Sequence, residues 1–161
     1  MTPRRVAFVV NGTAQPKGSA RAFVPLAWAR AAVRQGRAPR AVVTTDNPRS
    51  KDWEARVARR AQAVVAAGGG AFVGPVALAI TFALPRPASV RRRAPTTRPD
   101  VDKLARAVLD ALTGVLYADD AQVVDLHTRK RYAVTRPGAW IAVEAAADAA
   151  PDQPNWIDTV A

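Results

Sequence analysis

A chain of 161 residues is one domain's worth and long enough to bury a hydrophobic core. Hydrophobic residues make up 49% and charged residues 23%, but 24 Lys and Arg stand against 13 Asp and Glu, and the net charge of +11 points to a polyanionic partner. No cysteine is present, which excludes disulfide scaffolds, Cys-ligated zinc and thiol catalysis, and the single histidine, His127, excludes a His-rich metal site.

Taken in chain order, the apolar run 6–10 is predicted to be a buried strand that ends in the Asn11-Gly12 turn. It is too short for a secretory signal, and no run approaches the roughly 20 apolar residues that span a bilayer. A cytoplasmic protein, bacterial or phage-encoded, with no membrane partner is expected. Residues 13–49 are rich in Pro, Gly and Arg, and only a short basic helix over 26–37 is expected there. From about Ser50, the residues Trp53, Val57, Ala61, Val64 and Val65 follow helical spacing, with Asp52 and Glu54 in the first turn. The glycines at 68–70 stop this helix. Over 76–84, Val76, Leu78, Ile80, Phe82 and Leu84 alternate with smaller residues, the clearest strand signal in the chain.

A basic loop with Arg91, Arg92, Arg93 and Arg98 leads into a second helix, predicted from Asp100 or Val101 to Leu112. Val101, Leu104, Val108 and Leu112 form its apolar stripe, and Gly114 supplies its stop. Two further strands, 121–132 and 139–144, are expected to form a hairpin through Arg136-Pro-Gly138. The fold class that follows is α+β: one compact domain over 1–146, with a mixed sheet packed by two main helices in the order β-α-β-α-β-β. Residues 147–161, with Asp148, Asp152 and Asp158, are expected to be a flexible acidic tail.

The charge divides along the chain. Residues 1–99 hold eighteen bases and three acids, whereas residues 100–161 hold six bases and ten acids. Six carboxylates, Asp100, Asp102, Asp110, Asp119, Asp120 and Asp125, fall within 26 residues. Carboxylates held close together repel unless a cation offsets them. A basic surround attracts phosphate, and carboxylate oxygens are the hard ligands that Mg²⁺ or Mn²⁺ prefers. Helical spacing sets Asp102, Arg106 and Asp110 on one face, with Asp119 and Asp120 in the following turn. Asp100 also suits a helix N-cap, and Asp119-Asp120 a plain polar turn. Asp110 is read as structural, a salt-bridge partner of Arg106 or a polar residue of the helix.

The segment from Arg98 through Asp100-Val-Asp102, Arg106, Asp110-Ala-Leu112 and Asp119-Asp120-Ala-Gln122-Val123 resembles the signature of the RusA family. More loosely, the stretch from Gly12 to Arg21 resembles the loop after that family's first strand. The resemblance implies an endodeoxyribonuclease that resolves Holliday junctions as a homodimer, with Mg²⁺ (or Mn²⁺) as the metal and no small-molecule cofactor. It carries the family's metal-binding aspartates onto Asp100, Asp102 and Asp120, with Asp119 as an auxiliary ligand. The family's helix lysine falls on Arg106, which can stabilise negative charge but cannot donate a proton as lysine can. The family's Asn after Asp-x-Asp is Lys103 here.

Branched DNA, as a four-way junction, is then the expected partner. Lys17, Arg21, Arg91, Arg92, Arg93, Arg98, Lys103 and Lys130 are the candidate phosphate contacts. Trp53 is expected in the core and Trp140 in strand packing. The alternatives are a metal nuclease of other branch specificity, a catalytically weak branched-DNA-binding protein, and a basic protein that binds nucleic acid without needing the aspartates.

Overall fold

The computed structural model describes residues 4–45 and 47–146, so the expected acidic tail lies outside the described residues. Strand β1 (Arg5–Asn11) is followed by β2 (Ala20–Phe23), helix α1 (Leu26–Arg34) and β3 (Val42–Thr45). Helix α2 (Arg49–Val64) leads through a π turn into β4 (Val76–Leu84), and α3 (Val101–Leu112) leads through a 3₁₀ turn (Asp120–Gln122) into β5 (Val123–Tyr132) and β6 (Gly138–Ala145). The result is a single α+β domain with a mixed sheet, as expected, with the two main helices α2 and α3 and the short basic helix α1.

The main sheet has the order β1-β6-β4-β5. Strand β6 is antiparallel to both β1 and β4, while β5 runs parallel to β4 at the edge. The expected hairpin between the last two strands is therefore wrong: β6 crosses over β4 to insert beside β1. Burial explains the order. Strand β4 buries Val76, Leu78, Ile80, Phe82 and Leu84 on one face and Thr81 on the other, where its alanines are half-buried, and β6 buries Ala139, Ile141, Ala142 and Val143. Strand β5, with Asp125, His127, Arg129, Lys130 and Arg131, is too polar for an interior position and takes the edge. Gly138 starts β6 where a Cβ would lie 2.6 Å from the Val10 carbonyl oxygen, so no larger residue fits against β1 there.

Helices α2 and α3 pack against each other, α2 also against β1 and α3 against β5. Trp53, Val57 and Ala61 from α2 join Leu104, Ala107, Val108, Ala111 and Leu112 from α3 over Phe8, Val10, Leu78, Ile80, Phe82 and Ile141 of the sheet. The spacing of these residues in sequence is the helical stripe that meets the sheet's alternating face. Trp53 is buried as expected, whereas Trp140 stands on β6 with 37% of its surface exposed.

Residues 13–49 hold more structure than the sequence suggests. Strands β2 and β3 form a separate two-stranded sheet, with α1 as the excursion between them. Four-residue strands are too short to show a period of two. Helix α1 ends at Arg34, short of the expected 37, and buries none of its residues.

Candidate functional site

The N-terminus of α3 organises the site. Asp100 occupies the N-cap position, yet its carboxylate makes no capping hydrogen bond and stays exposed. Asp102 lies in the first helical turn, also exposed. Free N–H groups and the helix dipole stabilise both negative charges there. Gly114, with φ of 73°, follows the other end of α3 in the left-handed conformation that glycine adopts most easily.

Two lysines from distant segments hold this end of α3. Lys130 on β5 donates from Nζ to the carbonyls of Thr97 (2.9 Å) and Pro99 (2.8 Å), fixing the two residues on either side of Arg98. Lys17 donates its backbone N–H to the Lys103 carbonyl at 2.8 Å. Its ammonium lies 2.7 Å from Asp110 and 3.1 Å from Glu54 of α2. Asp110 holds the Lys17 pKa above the usual lysine value, against the opposing effect of burial, and Glu54 adds to the rise. Asp110 is structural, then, but its partner is Lys17 and not Arg106.

These contacts lay the loop after β1 along α3. Between them runs a cleft of about 470 Å³, whose walls include Gln15, Lys17, Gly18, Arg98, Asp100 and Lys103. Two segments that the sequence separates by some eighty residues thus share one wall. Lys103 reaches across it to Ser19 Oγ at 3.4 Å.

The second acidic pair sits elsewhere. After α3, Gly114 donates to the Tyr117 carbonyl at 2.7 Å and closes a tight turn, so Asp119 and Asp120 emerge at the C-terminal end of the helix. Asp119 Oδ1 accepts from the Ala121 N–H at 2.8 Å as the cap of the 3₁₀ turn. Gln122 completes that cap: its Oε1 accepts from Ala118 and Asp119, and its Nε2 donates to Gly74 O at 2.8 Å. The buried Tyr117 phenol donates to Leu109 O at 3.2 Å. Burial raises its pKa, with the charges of Asp120 and Asp110 adding to the rise. Asp120 is exposed at the surface of the turn.

Helix α3, about 18 Å long at 1.5 Å per residue, therefore lies between Asp100 and Asp102 at one end and Asp120 at the other. Strand β5 does return alongside, but the residue it brings back to Asp100 is Lys130. Among the described residues no group of three His, Asp or Glu side chains could hold a metal ion. One chain offers two hard carboxylates at the α3 N-terminus and a third apart from them, which does not make a three-carboxylate metal site.

The sequence model of the endodeoxyribonuclease RusA family matches residues 22–144. The chain belongs to the RusA family. It is also 40% identical over 73 residues to "Uncharacterized protein YqaN" of Bacillus subtilis (strain 168), a match covering 38% of this chain. The chain spans about half the length of that curated relative (51%).

In this RusA-family chain the other expected DNA contacts fall on several segments. Arg98 lines the cleft beside Asp100, and Arg21 stands on β2 opposite Thr44. Arg91, Arg92 and Arg93 are exposed on the loop between β4 and α3, where Arg92 donates to Thr97 Oγ1 at 3.1 Å. Arg86 braces the same loop through the carbonyls of Val90 and Arg91. Arg106 is exposed one turn after Asp102, with no carboxylate within 4 Å among the described residues. Lys17 and Lys130, also expected to contact phosphate, each have protein partners in this structure. The sequence reading missed the role of Gln122, although the polar-turn signature of Asp119 three residues before a glutamine is the pattern of a reciprocal cap.

Proposed function

We propose that this protein is a Mg²⁺-dependent, structure-specific endonuclease that nicks branched DNA and resolves Holliday junctions in recombination and repair, with Mn²⁺ as an alternative ion. The observation that carries the reading is the cleft at the α3 N-terminus. It sets an uncapped carboxylate, Asp100, beside Arg98 and Lys103. Arginine and lysine attract a phosphodiester, and free carboxylates at the same point suit the cation that offsets them. A bound Mg²⁺ would supply charge neutralisation at the scissile phosphate and a water of lowered pKa. Asp100 and Asp102 are the residues that would hold it, and Lys130 keeps Asp100 in place through Pro99. Arg98 and Arg106 offset negative charge as it grows on the phosphate.

The distance of Asp120 from Asp100 and Asp102 within one chain supports a symmetric homodimer, in which a second copy contributes the third carboxylate and Asp119 caps the turn that presents it. Two-fold symmetry also provides two sites for two opposed strands of a junction. The second reading, a branched-DNA-binding protein that does not cut, rests on Arg106 at the position of the family's lysine.

Incubating a synthetic four-way junction and a linear duplex of equal length with the protein and Mg²⁺ or Mn²⁺ separates the two. Paired nicks near the branch point, with the duplex left whole, support the resolvase. Tight junction binding without nicks in either metal supports the binding protein, and cutting of flaps or forks in preference to the junction supports a nuclease of other specificity.

A further inference from the structure

The cleft beside Asp100 does not end at the acidic motif. It shares Thr13 and Gln15 with a hollow of about 310 Å³ walled by Arg49, Asp52, Trp53 and Arg56. That hollow in turn shares Arg56 with a third, about 570 Å³, between β1 (Val9, Val10, Asn11) and the Arg59-Arg60 turn of α2. The three form one trough along the seam of β1 and α2.

Helical spacing explains its basic wall. Arg49, Arg56 and Arg60 recur at i, i+7 and i+11, one stripe of α2, with Arg59 beside it. The buried stripe, Trp53, Val57 and Ala61, holds that arginine row outward. Among the described residues both ion pairs involve Lys17, so these four guanidiniums have no carboxylate within 4 Å. Among the described residues, Asp52 is the single acid along the α2 part of the trough.

We infer that this trough is the track for the phosphate backbone of one DNA arm leaving the site, contacted by Arg49, Arg56, Arg59 and Arg60. The inference rests on the DNA-binding part of the proposed function and adds a surface to it. Arg49 to Arg60 spans about 17 Å of helix, the rise of about five base pairs at 3.4 Å each. A row of unpaired arginines repels a second copy of the same row and favours a polyanion. The planar fork of each suits bidentate contact with phosphate oxygens.

The test uses junction binding in metal-free buffer across a salt series. The Arg56→Gln/Arg59→Gln/Arg60→Gln protein is compared with the parent and with Arg30→Gln/Arg34→Gln/Arg37→Gln, an equal charge change on exposed residues of and beside α1. The α2 variant is expected to bind at least tenfold more weakly near 0.15 M salt, with its salt slope shallower by about 2 to 3, roughly 0.9 per lost phosphate contact. A parallel measurement uses the absence of native cysteine: Arg60→Cys should form a disulfide with a thiol tethered about five base pairs beyond the phosphate that faces Arg49, and Arg34→Cys should not.

An α2 variant with the slope of the α1 control, or equal cross-linking by both cysteines, overturns the track. So does a parent that binds no DNA. Failure of the nuclease reading looks different: the parent binds, the α2 variant loses slope, and no strand is cut in any metal.

Discussion

The ammonium of Lys130 lies 2.8 Å from the carbonyl oxygen of Pro99, the residue immediately before Asp100. An edge strand thereby sets the position of a carboxylate at the start of a helix that precedes it in the chain. With Thr97 as its second acceptor, Lys130 closes off the loop that carries Arg91 to Arg98.

Lys130→Met should accordingly lower activity without removing any group from the cleft. Junction nicking is expected to fall at least tenfold while junction binding changes less than threefold, and stability to drop by about 1.5 kcal/mol for the charge-assisted hydrogen bonds. Nicking assays, binding isotherms and urea melts read the three effects separately.

Two groups make stability depend on alkaline pH. Lys17 is held protonated above its ordinary pKa of 10.5, first by Asp110. Tyr117 is held protonated above 10.0, first by burial. A raised folded-state pKa contributes stability that is fully present below the unfolded value and lost as pH rises through the folded one. The melting temperature should therefore show no pH dependence from these groups between pH 6 and 9, where their contribution is fully present, and should fall above about pH 10. Tyr117→Phe and Lys17→Met should each flatten that fall.

Gln122 bonds four backbone groups and joins the 3₁₀ turn to the segment before β4. Gln122→Ala should destabilise by about 2 kcal/mol, since several backbone groups lose their partner together. Asp119→Ala should cost about 1 kcal/mol as a lost cap. Chemical denaturation of each variant checks the ranking.

Arg106 is exposed one turn beyond Asp102 and, among the described residues, has no ion-pair partner, so its substitution tests function with little effect on folding. Arg106→Ala should lower nicking by about 100-fold, the usual consequence of removing one charge-stabilising donor. Arg106→Lys should retain activity and shift the alkaline limb of the pH–rate profile, because lysine titrates in that range and arginine does not. Rate profiles between pH 6 and 10.5 distinguish the two.

Much of this was legible in the chain. The strand over Val76–Leu84 and the helix over Val101–Leu112 emerge with the expected bounds, because period-two alternation and a 3.6-residue stripe survive packing unchanged. Strand order was not legible: adjacency of β5 and β6 in sequence suggests a hairpin, while their unequal polarity sends one to the edge and the other to the middle. The acidic motif was legible as a set of residues but not as a geometry. Nothing in the spacing of Asp102 and Asp120 reveals that α3 lies between them, nor that Lys17 and Lys130 turn inward to Asp110 and Pro99.

The most direct test of the account is strand nicking of a four-way junction by the parent, by Asp102→Asn, by Asp120→Asn, and by an equimolar re-equilibrated mixture of the two variants. With the third carboxylate supplied by a second copy, the parent cuts, neither variant cuts alone, and the mixture nicks one strand per mixed dimer, since each of these rebuilds one complete site. Single variants that cut as well as the parent, or a parent that binds junctions and never cuts them, would contradict the assignment of these aspartates to a nuclease site.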